Sequence, residues 1–563
     1  MKAQDPFLIE ALVDFPDDAI KASEPITSSH IDAMMDRLSA GGVRRVSWCV
    51  YADGRGGYFT PAHNKAYENL IRTYQVLGQN PLDVAVEAAH RHGMEIFAYY
   101  KPYETGPAIV YPEGSYEAKV YGRIRQIGGH VSWLDPFVVD HPHLRIKRRS
   151  DDQAPEYPIR PIETIKLYKC DALPTRITRE HLQIWFSDSN YCYQRLDTDF
   201  TLSDSIEICP RDIRDIFTDQ CLIRSGEPRR VLTLSGFQLT APYFLVTTDF
   251  TEGPADFANT DLEMLSVFDN AGEEITGEIA SESTVYLGEL LNFLNWGLAF
   301  DTGYNGGKKH LDFPGGDGRS GFVAYARGRN RYLPGALCET EQQVQDFWLH
   351  CIESILATGV DGVDIREENH STHTNHPQDY GYNEVVLEKC AERGRVDELM
   401  IAAVRGDAYT AFLTKAKQLI NSRGKRMRIN FQIDWYRSDP AACRRLAYPA
   451  NLDFQWQRWI RDELADEAVL RFYILPFDCI FNDAVAHDLI ERCHDKGIPI
   501  TINRYIKPKT LIDEYRSVRQ DGRFAGFILY ETCSFLKILA GGGCDISEPA
   551  VEKLFEIITT GND

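Results

Sequence analysis

The stretch Gly359-Val360-Asp361-Gly362-Val363-Asp364-Ile365-Arg366-Glu367-Glu368-Asn369-His370 brings several carboxylates and an arginine together just after a short apolar alternation. A second set, Asn430, Gln432 and Asp434, alternates strictly with Ile429, Phe431 and Ile433, and a third acid, Glu531, follows Tyr530. Carboxyl groups that face each other across a bond can divide acid/base work. One protonates the leaving oxygen, and the other serves as nucleophile or as base toward water, which is the demand of acetal cleavage. Glu368 and Asp434 are the expected working pair, with Glu531 and Glu367 as further candidates. Asp364 lies one step deeper on the same face, where a charge-assisted pair would let it hold Arg366.

Such acids act only if strands aim them at one place. In an extended chain alternate side chains share a face, so Asp364, Arg366 and Glu368 point one way while Val363 and Ile365 point the other. The unit helix, closing glycine, apolar strand recurs along the chain. Eight strands follow from it or stand beside it: Val43 to Tyr51, Glu95 to Lys101, Gly321 to Ala326, Val360 to Arg366, Arg428 to Trp435, Ala468 to Tyr473, Ile498 to Tyr505 and Phe524 to Thr532. Two of the helix starts carry capping signals, Asn80-Pro81 and a capping box from Thr340 to Gln343. Short connections between alternating helices and strands imply a parallel sheet, and eight strands imply closure into a (β/α)8 TIM barrel, whose chemistry sits at the carboxyl ends of the strands.

Those ends are polar or aromatic throughout. The residues expected to contact a sugar-like substrate are Trp48, Tyr51, Lys101, Tyr103, Asp364, Arg366, His370, Gln432, Trp435, Arg471 and Arg504. Aromatic faces stack on sugar rings, whereas amides and guanidiniums bind hydroxyls. The basic members, Lys101, Arg366, Arg471 and Arg504 together with Arg327, suit an anionic glycan such as a uronate or a sulfated sugar.

Residues 105–318 break the pattern. Runs such as Gln183 to Phe186, Arg230 to Leu234 and Tyr243 to Thr248, separated by turn clusters, read as an inserted all-β, sandwich-like domain between the second and third barrel strands. The barrel then comprises residues 1–104, with two strands, and 319–563, with six. The Gly-rich aromatic loop Asn292 to Pro314 has the composition of a cover over the barrel mouth.

Composition narrows the partners. A formal charge of -22, from 61 basic and 83 acidic residues among 563, argues against nucleic acid or an anionic membrane as partner. No apolar run reaches the length of a membrane span, and Met1 to Pro6 lacks the apolar core of a secretory signal. The expected location is cytoplasmic, or secreted or periplasmic if a signal has been removed. The 13 cysteines are scattered, several inside apolar runs, which fits packed thiols rather than a disulfide framework.

Three segments resemble a known group. Gly359 to Asp364 after an amphipathic helix, the early Val46-Ser47-Trp48, and Trp459-Ile460-Arg461-Asp462-Glu463-Leu464-Ala465-Asp466 are similar to the glycosyl-hydrolase-like TIM-barrel proteins, the broad group with amylase-like and fucosidase-like barrels. The resemblance implies a glycoside hydrolase without cofactor or metal, acting on an oligo- or polysaccharide. In that group the fourth strand usually ends in catalytic aspartate, and here Arg366, Glu367 and Glu368 occupy those places. Two alternatives stand beside it. One is a carbohydrate-binding barrel without turnover. The other is a metal-dependent hydrolase using His370, His373 and His376, although these lack the HExxH spacing.

Overall fold

A computed structural model describes residues 7–50, 72–103, 109–111, 130–132, 137–138, 141–150, 160–169, 171–175, 177–187, 194–214, 221–241, 243–248, 265–275, 323–326, 332–367, 377–436, 451–472 and 475–561. Eight parallel strands close into a barrel: β1 (Leu8–Val13), β2 (Arg45–Val50), β3 (Glu95–Tyr100), β4 (Gly362–Arg366), β5 (Arg426–Gln432), β6 (Glu467–Arg471), β7 (Ile500–Tyr505) and β8 (Gly526–Tyr530). Closure is made by β8 lying parallel to β1, with Gly526 opposite Leu8 and Leu529 opposite Ala11.

The eightfold count holds, but its membership differs from the sequence expectation in two places. Leu8–Val13 is a barrel strand that the expectation lacked, and Val323–Ala326 pairs antiparallel with Tyr243–Thr248 outside the barrel. The interruption therefore falls between the third and fourth strands, not the second and third. Within it, the described residues form two four-stranded antiparallel sheets. One runs Thr201–Ile208, Pro228–Leu239, Ile162–Tyr168, Leu265–Phe268, and the other Val323–Ala326, Tyr243–Thr248, Leu182–Ser187, Gln194–Arg195. The loop Asn292 to Pro314 lies outside the described residues.

Helices return the chain from strand to strand. They include α1 (Phe15–Lys21) and α2 (Ser28–Ala40) after β1, α3 (Pro81–Arg91) before β3, and α4 (Gln342–Ala357) before β4. Then come α5 (Glu398–Ser422), α6 (Trp456–Arg461), α7 (Ala484–Asp495) and α8 (Leu511–Gln520) between the later strands, and α9 (Pro549–Thr560) after β8. The Asn80 cap of α3 is as read, its side chain accepting from Leu82 N at 3.0 Å. The box at Thr340 is not: α4 is capped by Glu341, without a side-chain hydrogen bond. Gly359, at φ +92°, lets the chain leave α4 and enter β4 through a left-handed turn that a side chain would strain.

Outward residues of the strands, among them Val363, Ile365, Ile429 and Phe431, join one apolar cluster with the helices. The barrel interior is different. Such interiors are commonly filled by layers of branched aliphatics, yet here the lower layers are ionic. At the bottom, Arg45 of β2 reaches Glu95 at 2.8 Å and Glu467 at 2.5 Å, and Arg426 reaches Glu467 at 2.9 Å. The Phe97 ring lies among three guanidinium carbons, Arg45 at 4.1 Å, Arg426 at 5.0 Å and Arg428 at 5.1 Å.

One layer up, Arg428 donates to both oxygens of Glu10, at 2.7 and 2.6 Å, and through Nε to Asp364 at 3.0 Å. Ser47 donates to Glu10 as well. Burial pushes the Glu10 carboxyl up, but Arg428, Arg45 and Ser47 more than offset that and leave it below the usual range.

Gly362 opens β4 against this layer. A Cβ there would stand 2.4 Å from Phe97 Cζ and 2.8 Å from the Arg426 carbonyl oxygen. Gly362→Ala is expected to lower stability by about 2 kcal/mol through overpacking, read as a shift in urea midpoint at unchanged slope. A variant as stable as wild type would show that the ring and strand can yield.

Candidate active site

The third layer and the strand ends above it hold the polar residues. Parallel register sets Arg366 of β4 beside Asn430 of β5, and Arg471 of β6 between Gln432 of β5 and Asn503 of β7. Arg366 and Arg471 both donate to the Tyr530 hydroxyl of β8, at 3.2 and 2.7 Å. The Arg366 guanidinium also lies 5.0 Å from the Tyr99 ring, and that of Arg471 4.4 Å from the Tyr530 ring. All of these side chains are buried.

Four buried acids stand around this floor. Asp434, in the turn Ile433–Trp435 that follows β5, accepts from Gln432 Nε2 at 2.9 Å and from Leu475 N at 3.3 Å. Asp14, just past β1, accepts from the Tyr99 hydroxyl at 3.3 Å. Asp18 of α1 accepts from Thr532 Oγ1 at 2.6 Å. Burial raises its carboxyl to about 7; the Thr532 bond opposes the rise, and the Asp14 and Glu531 charges add to it. Glu531 follows β8 with φ 61° and ψ 98°, a backbone region that costs a non-glycine residue energy and that clusters at functional sites.

The expected residues divide accordingly. Arg366, Gln432, Asp434, Arg471 and Glu531 lie on or beside the floor, and Lys101, buried, continues the inward side of β3 beyond Tyr99 with Nζ 5.9 Å from that ring. Asp364 is inward too, but it binds Arg428 on the next strand rather than Arg366. Trp48 faces outward and stacks on Phe15 of α1 at 4.9 Å, while its neighbour Ser47 takes the inward place. Tyr103 turns away from the barrel: its hydroxyl donates at 3.0 Å to Glu339, which pairs with Arg405 at 2.7 Å among the rings of Trp348 and Tyr409. Arg504 packs over Phe472 and Phe477, with Nη1 3.6 Å from Glu514. Tyr51, Glu368, His370, His373, His376 and Arg327 lie outside the described residues, as does the side chain of Trp435. Among the described residues no group of three or more metal-binding side chains occurs, and no helix is long and apolar enough to cross a membrane.

Glu367 is withdrawn behind the mouth. Tyr436 donates to its two oxygens at 2.9 and 2.7 Å, and Tyr436 itself stacks on Trp456 at 5.5 Å. Burial raises the Glu367 carboxyl to about 8 against the opposing Tyr436 hydrogen bond. The sign of the consequence is fixed. A carboxyl whose folded pKa lies above its unfolded one binds extra protons in the native state, so stability falls as pH rises through the interval between the two. For Glu367 the loss runs from about pH 4.5 to about 8, on the order of 5 kcal/mol. Glu367→Gln should therefore flatten the urea-midpoint profile between pH 5 and 8; an unchanged slope would contradict the assignment.

Asp14, Asp18, Ser47, Arg428 and Tyr436 were not among the expected site or supporting residues. For Asp14, and for Glu10 deeper in the same strand, the signal was present in Phe7-Leu8-Ile9-Glu10-Ala11-Leu12-Val13-Asp14, an apolar run that carries one acid and ends on another.

No family model matches the chain, and no curated protein does. Solved structures similar to it include alpha-L-fucosidase isoenzyme 2 from Paenibacillus thiaminolyticus, at 9% identity and TM-score 0.38, over 99% of this chain and 49% of the other. This chain thus spans about half the length of that fucosidase chain. Morphinone reductase in complex with tetrahydroNAD matches at 8% identity and TM-score 0.31, over 94% and 85% of the two chains. The PgaB (BpsB) glycoside hydrolase domain from Bordetella bronchiseptica matches at 10% and 0.23, over 35% and 59%. A fucosidase, a reductase and a glycoside hydrolase domain stand side by side, so likeness of shape selects no reaction.

Proposed function

We propose that this chain is a glycoside hydrolase acting on an oligo- or polysaccharide, with Asp434 as one working carboxylate. The observation that carries the reading is the floor itself: the carboxamides of Asn430 and Asn503 are 1% and 0% exposed, and none of their polar atoms has a hydrogen-bond partner among the described residues. A buried amide left unsatisfied costs about 1–3 kcal/mol, so a floor that keeps two of them is built to receive a polar ligand. Acids beside such a floor would then meet the acetal of a polyhydroxylated ligand. The second carboxylate of this proposal is Glu368, the partner expected from the alternation of the sequence, with Glu531 in reserve. The two antiparallel sheets within residues 105–318 and the strand Val323–Ala326 would form one sandwich-like accessory unit.

Reducing-sugar release from a panel of polysaccharides tests the reading. Turnover of at least one, abolished in both Asp434→Asn and Glu368→Gln, is expected. A second reading, a carbohydrate-binding barrel without turnover, draws on the engagement of Glu10 and Asp364 with Arg428 and of Glu367 with Tyr436, which draws three carboxylates away from the rim. Binding of oligosaccharides with no hydrolysis by wild type would favour it.

A further inference from the structure

We propose that Tyr505 is the stacking platform of the sugar subsite, and that this subsite takes a β-linked chain of all-equatorial pyranoses of the gluco or xylo type; this rests on the carbohydrate reading above. Tyr505 closes β7, in register with Tyr530 of β8 and two positions beyond Asn503. Alternate residues of a strand share a face, so Tyr505 has the inward parity of Asn503. Arg504 between them packs outward, its Nη1 3.6 Å from Glu514 of α8. Asn503 and Tyr530 are buried, yet Tyr505 is 41% exposed, a large ring presented to solvent at the barrel mouth. Its ring meets that of Tyr530 edge to face, with 4.7 Å between centroids and 90° between planes. The Tyr530 hydroxyl is in turn held by Arg366 and Arg471 at 3.2 and 2.7 Å, so the platform rests against a ring that is fixed at its far end.

What lies beneath the ring selects the ligand. About 7 Å deeper along the strand is the Asn503 carboxamide, 0% exposed, whose oxygen and nitrogen have no hydrogen-bond partner among the described residues, and Asn430 of β5 repeats that condition. A ligand for both features needs an apolar face for the tyrosine and, around its rim, groups that donate as well as accept. A pyranose with every substituent equatorial has that form: axial C–H bonds cover its faces and hydroxyls line its edge. An axial hydroxyl interrupts the face, and an axial linkage turns the next ring out of the plane. An apolar ring compound would stack but leave the amides unsatisfied, whereas an acyclic polyol would meet the amides and bring no face.

Calorimetric titration of the full chain with cellohexaose, xylohexaose and maltohexaose tests this, with thermal melting of each variant alongside. At least one of the two β-linked oligomers should bind about tenfold or more tighter than maltohexaose, and Tyr505→Ala should weaken it about tenfold, the loss of one stacked face. Tyr505→Phe keeps the ring and should stay within about threefold of wild type, as a change at an exposed hydroxyl does. Tyr505→Leu keeps apolar bulk without a flat ring; it should bind as weakly as Tyr505→Ala and keeps the prediction testable if that variant fails to fold. Tyr505→Ala binding as wild type does, Tyr505→Phe binding as poorly as Tyr505→Ala, maltohexaose matching the β-linked chains, or turnover of a polysaccharide with none of the three oligomers bound would overturn the platform or its ligand class and leave the carbohydrate reading standing. Absence of affinity for these oligomers and for every polysaccharide of the panel would overturn that reading and this inference with it.

Discussion

Replacing Arg428 by methionine should unfold the protein or leave it close to unfolding. Its guanidinium, fully buried, holds Glu10 through two hydrogen bonds and Asp364 through a third. Removing it strands two buried carboxylates in one layer, and breaking a buried pair in this way costs about 3–5 kcal/mol, a large fraction of a domain's whole margin. The carboxylates would then take up protons, so the variant should regain stability as pH falls toward 5, opposite to an acid-labile protein. Far-UV circular dichroism with urea titration at pH 5 and pH 8 reads both effects. A loss under about 1 kcal/mol at pH 8 would mean that the network is solvated enough to tolerate the gap. The triple change Glu10→Gln, Asp364→Asn, Arg428→Met should recover much of the loss, because neutral partners have no charge to strand.

Asp434→Asn carries the largest expected effect on activity. If Asp434 is a working acid or base, kcat on an authentic substrate should fall by about two to four orders of magnitude with binding nearly unchanged. The fold should survive. An amide can still offer oxygen to Gln432 Nε2, and the bond from Leu475 N is already long at 3.3 Å. Thermal melting run beside the kinetics separates a chemical defect from a structural one. A variant that keeps more than about half of wild-type kcat would remove Asp434 from the chemistry and shift attention to Glu531 and Asp14, across the floor.

Much of the barrel can be read from the chain because the repeating signal is local. A helix stopped by glycine and followed by an apolar run announces itself at α3 and β3, α4 and β4, α5 and β5, and α7 and β7. β1 has no helix before it, so the rule that finds the others passes over it, and the inward acids Glu10 and Asp14 are lost with it. Val323–Ala326 shows the reverse error. Locally it has the composition of a barrel strand, and only its antiparallel partner Tyr243–Thr248 reveals otherwise.

Pairing between side chains was the least legible part. Asp364 and Arg366 share a face of one strand, but alternate positions are nearly 7 Å apart along a strand, whereas neighbouring strands lie about 4.8 Å apart. Register places Arg428 directly across from Asp364, and the shorter path wins. Trp48 could have been placed correctly by parity alone. If Arg45 and Ser47 point inward, the tryptophan between Ser47 and Cys49 must point out, and it stacks on Phe15.

The ionic centre also bears on how the polypeptide is made. Glu10 meets Arg428 at a sequence separation of 418, and Arg45 meets Glu467 at one of 422. A ribosome that has released the first three strands has exposed acids and a guanidinium whose counterparts do not yet exist, along with a sheet edge awaiting β4. Contacts of such long range form late and slowly, and incomplete chains with open strand edges aggregate. Fragments ending before Arg428 should therefore be recovered only as insoluble material, and refolding of the whole chain should be slow at the step that joins its two ends.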